Sequence, residues 1–185
     1  APLYIEKTNF PLVATEHKLP VASAQVKSCI LLAALAAEGE TIVDEPGLSR
    51  DHTERMLNNM GISVESKTIF NNDQKHRVTR IIPAKNQSLQ PFHLIIPGDF
   101  SAAAFLIVAA CITPGSDLVL RGVGMNPTRT GLLEALLMMG AKIDILSFSE
   151  HSGEPVGDLH VRSGNLMGVK ISGELVVRMI DEFPI

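Results

Sequence analysis

Tryptophan is missing from the sequence, tyrosine occurs once, and aromatic residues together make up only 4%. Single-stranded nucleic acids bind by stacking bases on exposed rings, so few such platforms can be built here. No basic excess compensates. Sixteen Lys and Arg face 20 Asp and Glu, for a net charge of -4, the opposite of the footprint that attracts phosphate backbones. Nucleic acid is therefore not an expected partner. Long apolar runs are also lacking: CILLAALAA at 29–37 and AAAFLIVAACI at 102–112 both fall far short of the roughly 20 residues that a membrane span needs. The opening APLYIEK has neither a basic nor an apolar signal region, so no secretory signal is expected there. Cysteine is scarce. Cys29 and Cys111 are isolated in apolar helical stretches, with no CxxC pair, which leads to an expectation of two buried, reduced thiols in a cytoplasmic protein. His17, His52, His76, His93, His151 and His160 show no HxH, HxxxH or HExxH spacing, so no metal site is expected.

What the chain does have is an aliphatic core. It is 45% hydrophobic and 19% charged, with 11 Pro, a composition that folds. Its 185 residues suit one domain or two small halves.

Self-similarity organises those residues. The segment beginning LPVASAQVKSCILLAALAAEGETIVDEPGLSRDHTERMLNNMG at Leu19 is echoed from Ile96 by IPGDFSAAAFLIVAACITPGSDLVLRGVGMNPTRTGLLEALLMMG. Ser23 corresponds to Ser101, Gly39 to Gly115, Thr53 to Thr130 and Gly61 to Gly140, with offsets of 76 to 79 residues. A period this long indicates a duplicated mixed α/β unit rather than a short-repeat solenoid. In the first copy Val26, Ile30, Ala33 and Ala37 recur at helical spacing, behind a Ser23 cap and before Gly39. A short strand at 41–43 follows, then a turn at Pro46 and Gly47. Ser49 or Asp51 caps a second helix with Thr53, Met56, Leu57 and Met60 on one face and Gly61 at its end. Strands are expected at 62–65, 76–82 and 93–96. The second copy predicts a helix at 101–110, a strand at 117–121, a helix opened by Pro127 and Thr128 and closed by Gly140, and strands at 142–148 and 158–162. Residues 174–185 read as the start of a third unit, cut short.

Several polar groups fall at helix starts, where unpaired N–H groups and the macrodipole favour anions. Ser23, Gln25 and Lys27 open the first helix and offer a hydroxyl, an amide and a charge suited to a phosphate beside hydroxyl groups. A Ser cap with two solvated side chains explains the same pattern. Arg50 precedes the second helix, where it either faces an anion bidentately or joins surface pairs such as Arg50 with Asp51 or Glu54 with Arg55. His52 and Thr53 read as structural. Asn126, Thr128, Arg129 and Thr130 are an ordinary capping arrangement, and Asp99 reads both as a cap and as part of a crossover between two halves, with no chemistry. Asp181 and Glu182 stand in the apolar run VVRMIDEFPI, where a carboxylate is costly unless paired or used. A general base and a bridge to Arg178 are both open for Asp181.

Taken together, PVASAQVKS, RDHTERML, PGDFSAAAF, GMNPTRTGLLEAL and RMIDEFPI, in this order and spacing over nearly the whole chain, resemble the 5-enolpyruvylshikimate-3-phosphate synthase family. The wording SAQ, RDHTE and IDEFP is similar to the bacterial branch associated with tolerance to glyphosate, the herbicide that targets this family. The resemblance implies an α/β enzyme of two domains, each built from three β-α-β-α-β-β units, closing on substrate at the cleft between domains. Residues 1–96 would be the last unit of the first domain, and 97–185 the first unit of the second with the start of the next. The implied reaction transfers the enolpyruvyl group of phosphoenolpyruvate to the 5-hydroxyl of shikimate 3-phosphate, a step toward chorismate and the aromatic amino acids. By the same resemblance, Ser23, the backbone at Ala24, and Gln25 bind shikimate 3-phosphate, with Gln25 also touching phosphoenolpyruvate. Arg50 contacts the substrate phosphate, and Asp181 binds the ring hydroxyls and accepts a proton. No cofactor is implied, and the whole enzyme is expected to be a cytoplasmic monomer. The family's Lys-Ser-Arg cluster, its NxG and Arg segment and its later Lys-Glu-Arg, His-Arg and Lys positions have no counterpart here, so the piece alone is expected to be inactive. Two other readings are the related transferase acting on UDP-N-acetylglucosamine and a non-catalytic binding fragment.

Overall fold

In the computed structural model, the described residues are 2, 4, 6, 7, 10–71, 74–83 and 88–185. The chain divides into two compact units, Ala1–Pro91 and Phe92–Ile185, and each has its own core.

The first unit begins with two short strands, β1 (Leu12–Val13) and β2 (Glu16–Lys18), followed by helix α1 (Ala24–Ala34). Ser23 caps α1 by accepting from the Val26 N–H at 3.3 Å, as its position predicts. After the helix, Gly39 takes φ +108, a conformation that a side chain disfavours. Strand β3 (Ala37–Glu38) pairs in parallel with β1, and β4 (Thr41–Pro46) pairs in parallel with β2. Helix α2 (His52–Asn59) leads into a hairpin of β5 (Val64–Asn71) and β6 (Gln74–Ile81), giving a four-stranded sheet in the order β2-β4-β6-β5. The core is aliphatic: Leu31 and Ala34 from α1, Val43 from β4, Leu57 from α2, and Ile62, Val64 and Ile81.

The second unit repeats the plan. Helix α3 (Phe100–Ile112) is followed by β7 (Asp117–Gly124), α4 (Gly131–Met138), and a hairpin of β8 (Lys142–His151) and β9 (Glu154–Arg162), which form an antiparallel sheet in the order β7-β9-β8. Asp99 caps α3 by accepting from the N–H groups of Ser101 and Ala102. In both units the strand after the first helix pairs antiparallel with the second strand of the hairpin. The matched glycines behave alike: Gly61 and Gly140 both follow the second helix at positive φ, +83 and +87. A last short helix, α5 (Glu174–Arg178), lies against α4. Gly131 is needed for that fit, since a Cβ there would stand 2.8 Å from the Arg178 carbonyl carbon and 2.9 Å from the Met179 nitrogen.

Some expectations need correction. No strand forms at 93–96, which has no regular secondary structure and pairs with no sheet. The helix expected from Pro127 begins only at Gly131, because Asn126 accepts from both the N–H and the hydroxyl of Thr128 and holds 127–129 in a separate turn. Thr130 makes no capping hydrogen bond through its side chain. Cys29 is exposed while Cys111 is buried, since the inward stripe of α1 runs through Lys27, Leu31 and Ala34 and Cys29 lies off it.

Candidate functional site

The first turns of α1 and α2 abut. Lys27 and Ser28, the fourth and fifth residues of α1, reach Glu54 and Thr53, the third and second of α2. The Ser28 and Thr53 hydroxyls are 2.7 Å apart, and Lys27 Nζ lies 2.8 Å from Glu54 Oε1. Two helix N-termini thus come side by side, and their partial positive charges add where an anion would approach. Ser23, at the head of α1, is half-buried and occupied by its cap; Ala24 is half-buried and Gln25 exposed. Arg50 is half-buried just before α2. Next to it Asp51 pairs with Arg55 at 3.0 Å, the helical i,i+4 arrangement.

Lys27 does not join the surface group that its sequence position suggests. Its side chain is 1% exposed, with Nζ donating to Glu45 Oε1 at 2.8 Å in addition to its approach to Glu54. Ser49 donates to the same Glu45 oxygen at 2.9 Å. One ammonium therefore faces two buried carboxylates. Glu45 Oε2 and both oxygens of Glu54 have no hydrogen-bond partner among the described residues, so Glu54 meets Lys27 as a close ion pair without hydrogen-bond alignment. Removing one member of such a buried set costs about 3–5 kcal/mol. Both carboxylates were open to discovery by periodicity. In β4, Thr41, Val43 and Glu45 alternate inward, as a period of two requires, and Glu54 sits three residues before buried Leu57 on one face of α2.

In the second unit Asp181 is exposed, directly before Glu182, which is 2% exposed. Glu182 Oε1 accepts from the Ser101 hydroxyl at 2.5 Å, and Arg129 Nη2 donates to that hydroxyl at 2.5 Å. Arg129 also lies 3.8 Å from both Glu182 and Asp99. The arginine read as part of a cap is thus tied to the turn that carries Asp181, and the signal for it is the Ser101 that matches Ser23. Arg178 pairs with Glu134 and donates to the Pro127 carbonyl. Among the described residues no group of three or more His, Cys, Asp and Glu is placed to hold a metal ion, and no helix is long and apolar enough to cross a membrane.

The twofold helix-strand-helix-hairpin plan, with polar groups at its helix starts, is that of the enolpyruvyl transferases. The chain matches EPSP synthase from Acinetobacter baumannii with a TM-score of 0.80 and 43% identity, over 94% of this chain and 38% of that one. The family model for EPSP synthase (3-phosphoshikimate 1-carboxyvinyltransferase) covers residues 1–185, and the chain belongs to that family. Its relatives include the 3-phosphoshikimate 1-carboxyvinyltransferases of Gloeothece citriformis, 50% identical over all of this chain and 39% of that protein, and of Carboxydothermus hydrogenoformans, 53% identical over 90% of this chain and 37% of that protein. The chain thus spans about two fifths of the length of the relatives it matches.

Proposed function

We propose that this chain contributes the shikimate 3-phosphate contacts of a transferase that moves the enolpyruvyl group of phosphoenolpyruvate onto the substrate 5-hydroxyl and releases phosphate. The observation that carries the reading is the abutment of the α1 and α2 starts, with Ser23, Ala24 and Gln25 on one and Arg50 before the other. On this reading Ser23, the Ala24 backbone and Gln25 bind shikimate 3-phosphate, with Gln25 also meeting phosphoenolpyruvate. Arg50 meets the substrate phosphate as a fixed, always charged fork, stronger per contact than its neutral neighbours. Asp181 binds the ring hydroxyls and takes the proton of the attacking 5-hydroxyl, while its neighbour Glu182 is held by Ser101. Addition to the phosphoenolpyruvate double bond and then loss of phosphate complete the transfer.

On the same reading, residues 1–96 are the last repeat unit of one domain and 97–185 the first of the other, and the whole enzyme is a cytoplasmic monomer without a cofactor. The relatives named for 3-phosphoshikimate favour this substrate over UDP-N-acetylglucosamine. The test is phosphate release from phosphoenolpyruvate and shikimate 3-phosphate by the full-length enzyme carrying this segment. Turnover with Arg50→Ala at unchanged KM for shikimate 3-phosphate would favour a non-catalytic role for this stretch.

A further inference from the structure

Among the described residues Lys27 is the largest of the fully buried side chains, and its partners lie on both flanks of the segment that carries Arg50. Glu45, near the end of β4, precedes that segment, and Glu54, in the first turn of α2, follows it. Ser49, the residue next to Arg50, donates to the Glu45 oxygen that Lys27 also holds. Lys27 itself is two residues beyond Gln25 on α1. We infer that Lys27 is a positioning residue for substrate binding: its buried ammonium sets the spacing between the α1 start bearing Ser23 and Gln25 and the turn bearing Arg50. The inference rests on the proposed function.

The physical reason is directional. An aliphatic contact tolerates sliding, whereas an ammonium between two desolvated carboxylates has one low-energy arrangement, because displacement strands buried charge. With three of the four carboxylate oxygens lacking hydrogen bonds among the described residues, the ion pairs to Lys27 dominate what holds these side chains in place. A shift of the Arg50 turn by a fraction of its contact distance then appears as lost affinity for a phosphate-bearing substrate.

The experiment uses the full-length enzyme. Its unsubstituted form is assayed first, and failure to release phosphate there removes the functional reading and this inference with it. Where turnover is seen, Lys27→Met, similar in length but uncharged, is expected to raise KM for shikimate 3-phosphate about tenfold or more, with kcat changed by less than about threefold. A role in stability alone would lower Tm and the amount of active enzyme while leaving KM where it was. The double variant Lys27→Met with Glu54→Gln restores the original net buried charge of this set, leaving only Glu45, still held by Ser49, and so relieves the like-charge cost of the single variant. It is expected to recover Tm toward the unsubstituted value while KM stays raised. An unchanged KM in a folded single or double variant overturns the positioning role and leaves the functional reading intact.

Discussion

At the scale of single residues, charge and burial separate the side chains proposed to meet ligand from those proposed to support them. Arg50→Ala in the full-length enzyme is expected to raise KM for shikimate 3-phosphate by about 10- to 100-fold, since a charge-assisted contact contributes about 1.5–3 kcal/mol. Steady-state kinetics checks this. Asp181→Asn keeps the shape of the side chain but removes the basic oxygen, so kcat should fall by about 10²–10⁴-fold with the fold retained by circular dichroism. The cysteines give an independent reading of the packing. Burial raises the Cys111 thiol above its ordinary value, so less of it is thiolate at any pH below that point, and alkylation must be slow. Its folded pKa exceeds the unfolded one, so it contributes stability at lower pH that is lost as pH rises through the raised value. Peptide mapping after brief iodoacetamide treatment near pH 8 should find the label on exposed Cys29 and little on Cys111.

Elements add constraints that no single side chain carries. The start of α4 meets the end of α5 backbone to backbone at Gly131, and the gap leaves no room for a methyl group. Gly131→Ala should therefore destabilise the protein by about 1–3 kcal/mol, measured by urea unfolding, because the obstructing atoms are main chain and cannot rotate away. Because α5 leads directly to Asp181, kcat should fall with it. The element scale also shows why sequence patterns were partly legible. The helices expected behind Ser23, before Gly61 and at 101–110 form at 24–34, 52–59 and 100–112, since apolar spacing and breakers agree, although Ala37, read with the first helix, lies in β3 and no side chain caps the second. The strand expected at 93–96 did not form: HLII has β-forming residues but pairs with no strand, and strand preference depends on such context.

At the scale of the whole molecule, each unit has its own core, but sizeable apolar side chains remain exposed, among them Phe105 and Leu106 on α3 and Val26 and Leu32 on α1. With the chain matching about two fifths of its relatives' length, residues 1–185 purified alone are expected to release no phosphate from phosphoenolpyruvate. Robust turnover by that piece would contradict the assignment of the remaining contacts to other segments. Sequence alone determined the duplication, the shared helix-strand-helix-hairpin plan of its two copies and the helix starts near Ser23, Gln25 and Arg50, because caps and hydrophobic periodicity act between residues close along the chain. Only the tertiary structure decided that Lys27 turns inward and that Arg129 is tied to Ser101 and Glu182. Those outcomes depend on partners 18 to 81 residues away, and whether a charge is solvated or buried is set by what packs against it.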